Sequence, residues 1–235
     1  MISVCIATYN GERYIEQQLE SILSQLTDDD EVIISDDSST DATVSVIKAM
    51  DSPIIHLFNN DREHGYTSNF ENALMHARGD YIFLSDQDDV WTKDKVAVCM
   101  DLLKSYDMVV SDAYVVDSDM NTLYDSYYEL RNPKRTLIGN IVKFGYLGCC
   151  LAFNSIVLTK ALPFPCNHKL CTHDNWLFLV AKTFYKVKIT NNKLIYYRRH
   201  QGNTSEGGIK DTTSIFFKIH YRMYLIKHLL RIAHK

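Results

Sequence analysis

The sequence lacks a glycine loop for cradling phosphate. Neither G-x-G-x-x-G nor G-x-x-x-x-G-K-[ST] occurs in its 235 residues. That excludes the dinucleotide and P-loop sites that hold phosphate on a nest of backbone N–H groups. A long apolar run is missing too, so nothing reads as a membrane-spanning helix. There are only four prolines and nine glycines, with no repeat and no low-complexity linker. A basic excess is absent: the net charge is −4, which argues against nucleic acid as the main ligand. Met1-Ile2-Ser3-Val4 enters a strand directly, without the basic n-region of a signal peptide, and points to the cytoplasm.

Six cysteines fit that compartment. Cys5, Cys149 and Cys150 lie in apolar runs and read as small core residues. Cys166-Asn-His168-Lys-Leu-Cys171-Thr-His173 mixes Cys and His, but its spacing matches no finger or ribbon and no second pair lies nearby. Zinc is therefore the minor reading there.

What is present is ordinary globular material, 46% hydrophobic and 23% charged. The first half alternates strand and helix. Residues 2–7, 31–35, 54–58 and 81–84 read as short buried strands. Ile15, Leu19, Ile22, Leu23 and Leu26 fall at helical spacing. A second helix runs to Met50 with Ser39 or Thr40 as cap, a third covers 68–77, and a fourth starts near Thr92. Such alternation predicts a parallel sheet flanked by helices, with right-handed crossovers.

Polar clusters follow the first, second and fourth strands. In a doubly wound sheet these ends gather on one edge, so Thr8, Tyr9, Asp36, Asp37, Asp86 and Asp88 are expected to line one crevice. Ser85-Asp86-Gln87-Asp88-Asp89-Val90-Trp91 packs three carboxylates into four positions. They repel one another unless a positive charge sits among them. A hard divalent cation with a phosphate answers that need. A solvated turn with Asp89 or Thr92 as helix cap answers it too.

The second half changes character. Residues 107–117 and 123–126 suggest a hairpin, Asn132-Pro133 breaks the chain, and 137–144 reads as a short helix. A strand over 148–153 and a short helix over 155–160 precede a helix that His173-Asp174-Asn175-Trp176 opens. Strands at 186–189 and 194–197 lead into the donor-rich run Tyr197-Arg198-Arg199-His200 to Ser205. Last comes a tail helix over 212–233. Phe216, Ile219, Met223, Ile226, Leu230 and Ala233 form one stripe on it, bordered by Lys218, Arg222, Lys227 and Arg231. Residues 209–235 carry +5 against −9 for the rest. The stripe serves equally to meet an anionic membrane face, to pack on the body, or to pair with a second chain.

Taken in order, Ile2-Ser-Val-Cys-Ile-Ala-Thr-Tyr-Asn-Gly, Ile33-Ile-Ser-Asp-Asp-Ser-Ser-Thr-Asp, Ser85-Asp-Gln-Asp-Asp-Val-Trp, Gly148-Cys-Cys-Leu-Ala-Phe-Asn, His173-Asp-Asn-Trp and Tyr197-Arg-Arg-His resemble the family 2 inverting glycosyltransferases, in their bacterial rhamnosyltransferase-like branch. The likeness spans residues 2 to about 205 and leaves out the tail. It implies an α/β fold of GT-A type: a Rossmann-like, mostly parallel nucleotide-binding sheet with helices on both faces, an added acceptor-side region and a C-terminal helix. Residues 1–208 would form one catalytic domain, 1–112 binding nucleotide-sugar and 113–208 serving acceptor and catalysis. Residues 209–235 would be the basic amphipathic helix.

Carried over by position, the resemblance makes Thr8, Tyr9, Asn10, Asp36, Asn69, Asp86, Arg198 and Arg199 nucleotide-sugar contacts. Tyr9 would stack on the base, and Asp36 would accept from a pyrimidine N3–H. Asp88 and His200 would hold Mg²⁺ or Mn²⁺, and Asp174 would be the catalytic base. Asn175 and Trp176 stand where the branch often has an aromatic pair, which blurs the acceptor. Asp89 reads as structural. The implied donor is a UDP- or dTDP-sugar and the acceptor a glycan or lipid-linked oligosaccharide, with the enzyme itself in the cytoplasm or peripheral on the inner face of its membrane. Two other classes stand beside this: a nucleotidyltransferase, which usually wants a basic glycine-rich loop where Thr8-Tyr9-Asn10-Gly11 lies, and a nucleotide-sugar-binding module without chemistry.

Overall fold

The computed structural model describes residues 1–200 and 214–233. The rest of the polar run after His200, the domain boundary at 208 and the start of the tail helix at Thr212 lie outside the described residues. The first half is built from β1 (Ile2–Thr8), α1 (Ile15–Leu23), β2 (Glu31–Asp36), α2 (Thr43–Ala49), β3 (Ile55–Asn59), α3 (Tyr66–His76) and β4 (Tyr81–Asp86). β1 pairs in parallel with β2 on one side and β4 on the other, and β2 with β3. Val4, Cys5 and Ile6, with Val32 and Ile34 beside them, are fully buried. That double-faced burial is why these strands are continuous apolar runs with no alternation.

The second half follows as β5 (Val90–Trp91), α4 (Lys95–Leu103), β6 (Met108–Val116), β7 (Thr122–Tyr124), α5 (Tyr127–Arg131), α6 (Leu137–Val142), β8 (Leu151–Asn154), α7 (Leu158–Ala161), α8 (His173–Phe184), β9 (Val187–Arg198) and α9 (Ile215–Ala233). One sheet runs through both halves in the order β3-β2-β1-β4-β8-β6-β9-β5, with β7 paired to β6. The expected β6–β7 hairpin is present. β8 is antiparallel to both its neighbours, β4 and β6, while β6 and β9 are parallel.

Three expectations shift. The segment expected to be a strand from Gly148 is a 3₁₀ turn through Cys150, and pairing begins only at Leu151. The two strands expected at 186–189 and 194–197 are one, β9. The fourth helix starts at Lys95, because Val90 and Trp91 are spent on pairing with Tyr196 and Ile195 of β9. That short pairing ties the acidic turn after β4 to the end of β9, although the two are about a hundred residues apart in sequence. α5 begins with a side-chain N-cap: Ser126 Oγ accepts from the backbone N–H of Glu129.

Candidate active site

The carboxyl ends of β1 and β4, the segment after β2, the end of β9 and the first turn of α8 surround one cleft of about 1210 Å³. This is ample for a nucleotide-sugar together with part of an acceptor. Thr8, Tyr9, Asn10, Asn69, Asp86, Asp88, Asp174 and His200 all line it. The sheet edge therefore gathers these eight, as parallel α/β sheets do, whereas Asp36, Arg198 and Arg199 are not among the lining residues.

The entry side is held by side-chain bonds to backbone. Gln87 accepts from the Tyr9 N–H at 2.9 Å and donates to the Tyr9 carbonyl at 3.0 Å. Tyr9 is thus pinned while its ring stays exposed. Asn10 adopts a left-handed conformation, φ 48°, and its Oδ1 accepts from the Thr40 N–H. Asn69 Nδ2 donates to the Thr8 carbonyl. Asp36 is buried just beneath the lining, where its carboxylate accepts from the Thr8 hydroxyl at 3.0 Å and from Ser39 N and Oγ. Its neighbour Asp37 lines the cleft instead and accepts from the Gly65 N–H and Asn60 Nδ2.

The floor is acidic. Asp88 Oδ2 lies 2.8 Å from His200 Nε2. The His200 ring packs on Tyr14, at 4.7 Å between centroids. Burial and the adjacent Asp88 charge push the Asp86 carboxyl up to about 7. Burial, together with Asp88 and Asp86, pushes Asp89 well above the usual carboxylate range. Asp89 accepts from the Arg198 N–H at 2.9 Å, the structural role expected of it, but its buried Oδ2 has no hydrogen-bond partner. The Cys149 sulfur lies within 4.8 Å of the carboxylate oxygens of both Asp86 and Asp89. The neighbouring Cys150, burial and the Asp89 and Asp86 charges push this thiol well above the usual cysteine range.

Behind this cluster Lys95 is fully buried. Its ammonium donates to the Cys149 carbonyl at 2.7 Å and lies 4.2 Å from the centre of the Trp91 ring. A divalent cation fits the donor set on the floor. Asp88 and His200 form one donor pair, and beside it the carboxylates of Asp86 and Asp89 and the Cys149 sulfur lie within 4.8 Å of one another, with a buried Asp89 oxygen left unpartnered.

Arg198 and Arg199 are not among the cleft-lining residues. The Arg198 guanidinium donates to Gln17 Oε1 and the Ser118 carbonyl and lies 4.5 Å from the centre of the Tyr14 ring. It thus supports the tyrosine on which His200 rests. Arg199 bonds through its backbone to Val116. Among the described residues Cys166, His168, Cys171 and His173 form no cluster of metal ligands: Cys166, which is exposed, and His168 sit beside Glu63, whereas Cys171 and His173 are buried.

His173, which is not among the residues expected at the site, lines the cleft beside Asp174. It stacks on Phe70 at 4.0 Å, and neither ring nitrogen has a partner. Burial lowers its pKa, against the raising effect of Asp174, so the ring is neutral. Gly148 makes room for it, since a Cβ there would come within 2.7 Å of Nε2. No spacing rule reaches from Gly148 to His173. Arg131, at the end of α5, also lines the cleft and supplies a cation where the sequence reading placed none.

A model of the family described as "Glycosyl transferase family 2" matches residues 3–162. The chain is 30% identical over 223 residues to the dTDP-rhamnosyl transferase RfbG of Shigella flexneri, covering 84% of this chain and 72% of that protein. It is also 30% identical over 234 residues to the UDP-Glc:alpha-D-GlcNAc-diphosphoundecaprenol beta-1,3-glucosyltransferase WfaP of Escherichia coli, covering 95% and 90%. Among solved structures, S. aureus TarS 1-349 in complex with UDP-GlcNAc superposes with a TM-score of 0.69 at 19% identity, over 98% of this chain and 72% of that one. The mannosyltransferase PcManGT of Pyrobaculum calidifontis, in complex with GDP-Man and Mn2+, gives 0.65 at 19% identity, over 99% and 73%.

Proposed function

The chain belongs to glycosyltransferase family 2 and has the GT-A fold, and from that premise we propose an inverting transfer of a sugar from a UDP- or dTDP-sugar to a hydroxyl of a lipid-linked oligosaccharide or polysaccharide. The observation that carries the proposal is the placement of Asp174, at the head of α8, in the same cleft as Asp86, Asp88 and His200. The electrostatics agree, since Asp174 is close enough to help raise the Asp86 carboxyl.

Displacing a nucleoside diphosphate builds negative charge on the leaving phosphate and positive charge on the sugar ring. Asp88 and His200 would hold Mg²⁺ or Mn²⁺, with Asp86 beside it, and the cation would supply the charge that stabilises the leaving diphosphate. A second, protonated carboxyl is then unnecessary, in contrast to a glycosidase. One carboxylate suffices, to take the acceptor hydroxyl proton, and Asp174 has that role. A single base opposite the leaving group gives in-line attack and inversion.

Tyr9, held by Gln87, offers its exposed ring to the base. Asp36 has the pyrimidine N3–H role by resemblance and sets the Thr8 hydroxyl by hydrogen bond. Asn10 and Asn69 complete the donor side. The relatives' names favour pyrimidine donors and, for WfaP, a diphosphoundecaprenol-linked acceptor.

Asp174→Asn tests the proposal. Turnover with a lipid-linked acceptor is expected to fall by roughly 10²-fold or more, as for loss of a general base, with nucleotide affinity kept. Unchanged turnover would remove Asp174 from the chemistry.

A further inference from the structure

α9 uses two faces. Leu225 and Leu229 are buried, and Tyr221, Tyr224 and Ile232 pack partly against the body. The stripe foreseen on this helix is a different set, and it points outward. Phe216 is 81% exposed and Met223 64%, with Ile219, Ile226 and Leu230 also exposed. Docking on the body therefore does not explain the stripe. On neighbouring α6, Ile138 is 75% exposed and Val142 is exposed as well. Arg222 Nη2 donates to the Val142 carbonyl at 2.7 Å and ties the two helices together. The result is an apolar face spread over two helices, larger than scattered surface residues would give.

Its charge is one-signed. Residues 214–233 hold four Lys/Arg and no carboxylate, on a protein of net charge −4. Lys227 and Arg231 border the stripe and are exposed, and exposed Lys143 follows α6. A twofold contact between copies through this face would set cation against cation. An anionic lipid surface complements both the apolar stripe and its basic border. The face also adjoins the acceptor side of the cleft. The chain leaving α6 becomes the cleft-lining segment Phe144–Leu147, and Tyr221 on α9 accepts from the side chain of Asn175, next to Asp174.

We propose that the outward stripe of α9, with Ile138 and Val142 of α6, docks the enzyme peripherally on an anionic lipid bilayer. No described helix is long and apolar enough to cross a membrane, so the helix lies in the interface plane with its cations at the headgroups. The docking itself stands on α6 and α9. Its purpose, presenting the cleft to a lipid-linked acceptor, rests on the function proposed above.

The test is sedimentation of the whole chain with vesicles of phosphatidylcholine, with and without phosphatidylglycerol. Binding is expected only with the anionic lipid and is expected to weaken with salt. It should fall by roughly tenfold or more in Phe216→Ser/Ile219→Ser/Met223→Ser and in Lys227→Glu/Arg231→Glu. The charge variant alters only exposed positions and covers the case in which the apolar variant misfolds. Nucleotide-induced thermal shifts should be unchanged in both, which separates failure of docking from failure of the donor reading. Absence of binding to anionic vesicles would overturn the proposal, as would equal binding by the charge variant. So would a dimer that the stripe substitutions turn into a monomer, since the face would then be a self-interface.

Discussion

The imidazole of His200 meets the carboxylate of Asp88 at 2.8 Å, across 112 residues of sequence. The contact exists because Val90–Trp91 pairs with Tyr196 and Ile195 and carries the end of β9 back to the acidic turn. His200→Ala is therefore expected to weaken Mn²⁺ binding by about 10- to 100-fold, the usual scale for loss of a metal-site group. Titration followed by the electron paramagnetic resonance of free Mn²⁺ checks this, beside a melting curve to show that the fold is kept. Unchanged affinity would leave the Asp88–His200 pair a purely structural contact.

Gly148 yields a sharper prediction about catalysis. A methyl group there would lie 2.7 Å from His173 Nε2 and 3.3 Å from the Asp174 Cβ, so Gly148→Ala must push the buried His173 ring off Phe70 and is expected to shift Asp174 with it. Misplacing a base by about 1 Å costs roughly 10²-fold in rate. Steady-state kinetics should show that fall in kcat with little change in donor KM. Wild-type kcat in the variant would mean that the Asp174 position is not critical.

At the opposite end of the sheet, Glu31 governs acid stability. Its buried carboxylate accepts from Ser3 Oγ at 2.5 Å, from the Arg78 N–H at 2.7 Å, and from Arg78 Nε and Nη2 at 3.0 and 2.8 Å. Burial alone would raise its pKa, but the bonds from Ser3 and Arg78 outweigh it and hold the pKa below the ordinary value. The unfolded chain thus takes up this proton at higher pH than the folded one. The stabilisation is fully present above the unfolded value, about 4.3, and is lost as pH falls through the lower folded value. Glu31→Gln should cost about 1.5–3 kcal/mol at pH 7. Below pH ~4 its melting temperature should fall less steeply than that of the parent. Parallel pH–melting curves would contradict this account.

Much of this was legible because parallel strands buried on both faces write themselves as apolar runs, and their carboxyl ends share an edge. Thr8, Asp86 and Asp88 meet for that reason. What was not legible depends on long-range pairing. β5 has two residues, too few to show a period, so the tie between Asp89 and Arg198 left no sign in the sequence. Nor does the sequence show that the Arg198 guanidinium reaches Gln17, Ser118 and the Tyr14 ring. His173 was hidden because its meaning depends on Gly148 beside it. Helical spacing revealed the stripe on α9 but not which face the body would cover, since Leu225 and Leu229 follow the same period a quarter-turn or so away.

The central claim is that this cleft binds a pyrimidine nucleotide with a divalent cation, and a thermal-shift panel tests it most directly. UDP, dTDP, GDP and ADP would each be added with Mn²⁺ and with EDTA. A ligand at 100 times its Kd stabilises by about 2.7 kcal/mol, which is several degrees for a domain of this size. The account predicts a shift with UDP or dTDP that needs Mn²⁺ and is absent with GDP and ADP. Equal shifts with all four nucleotides, or none with either pyrimidine diphosphate, would contradict it.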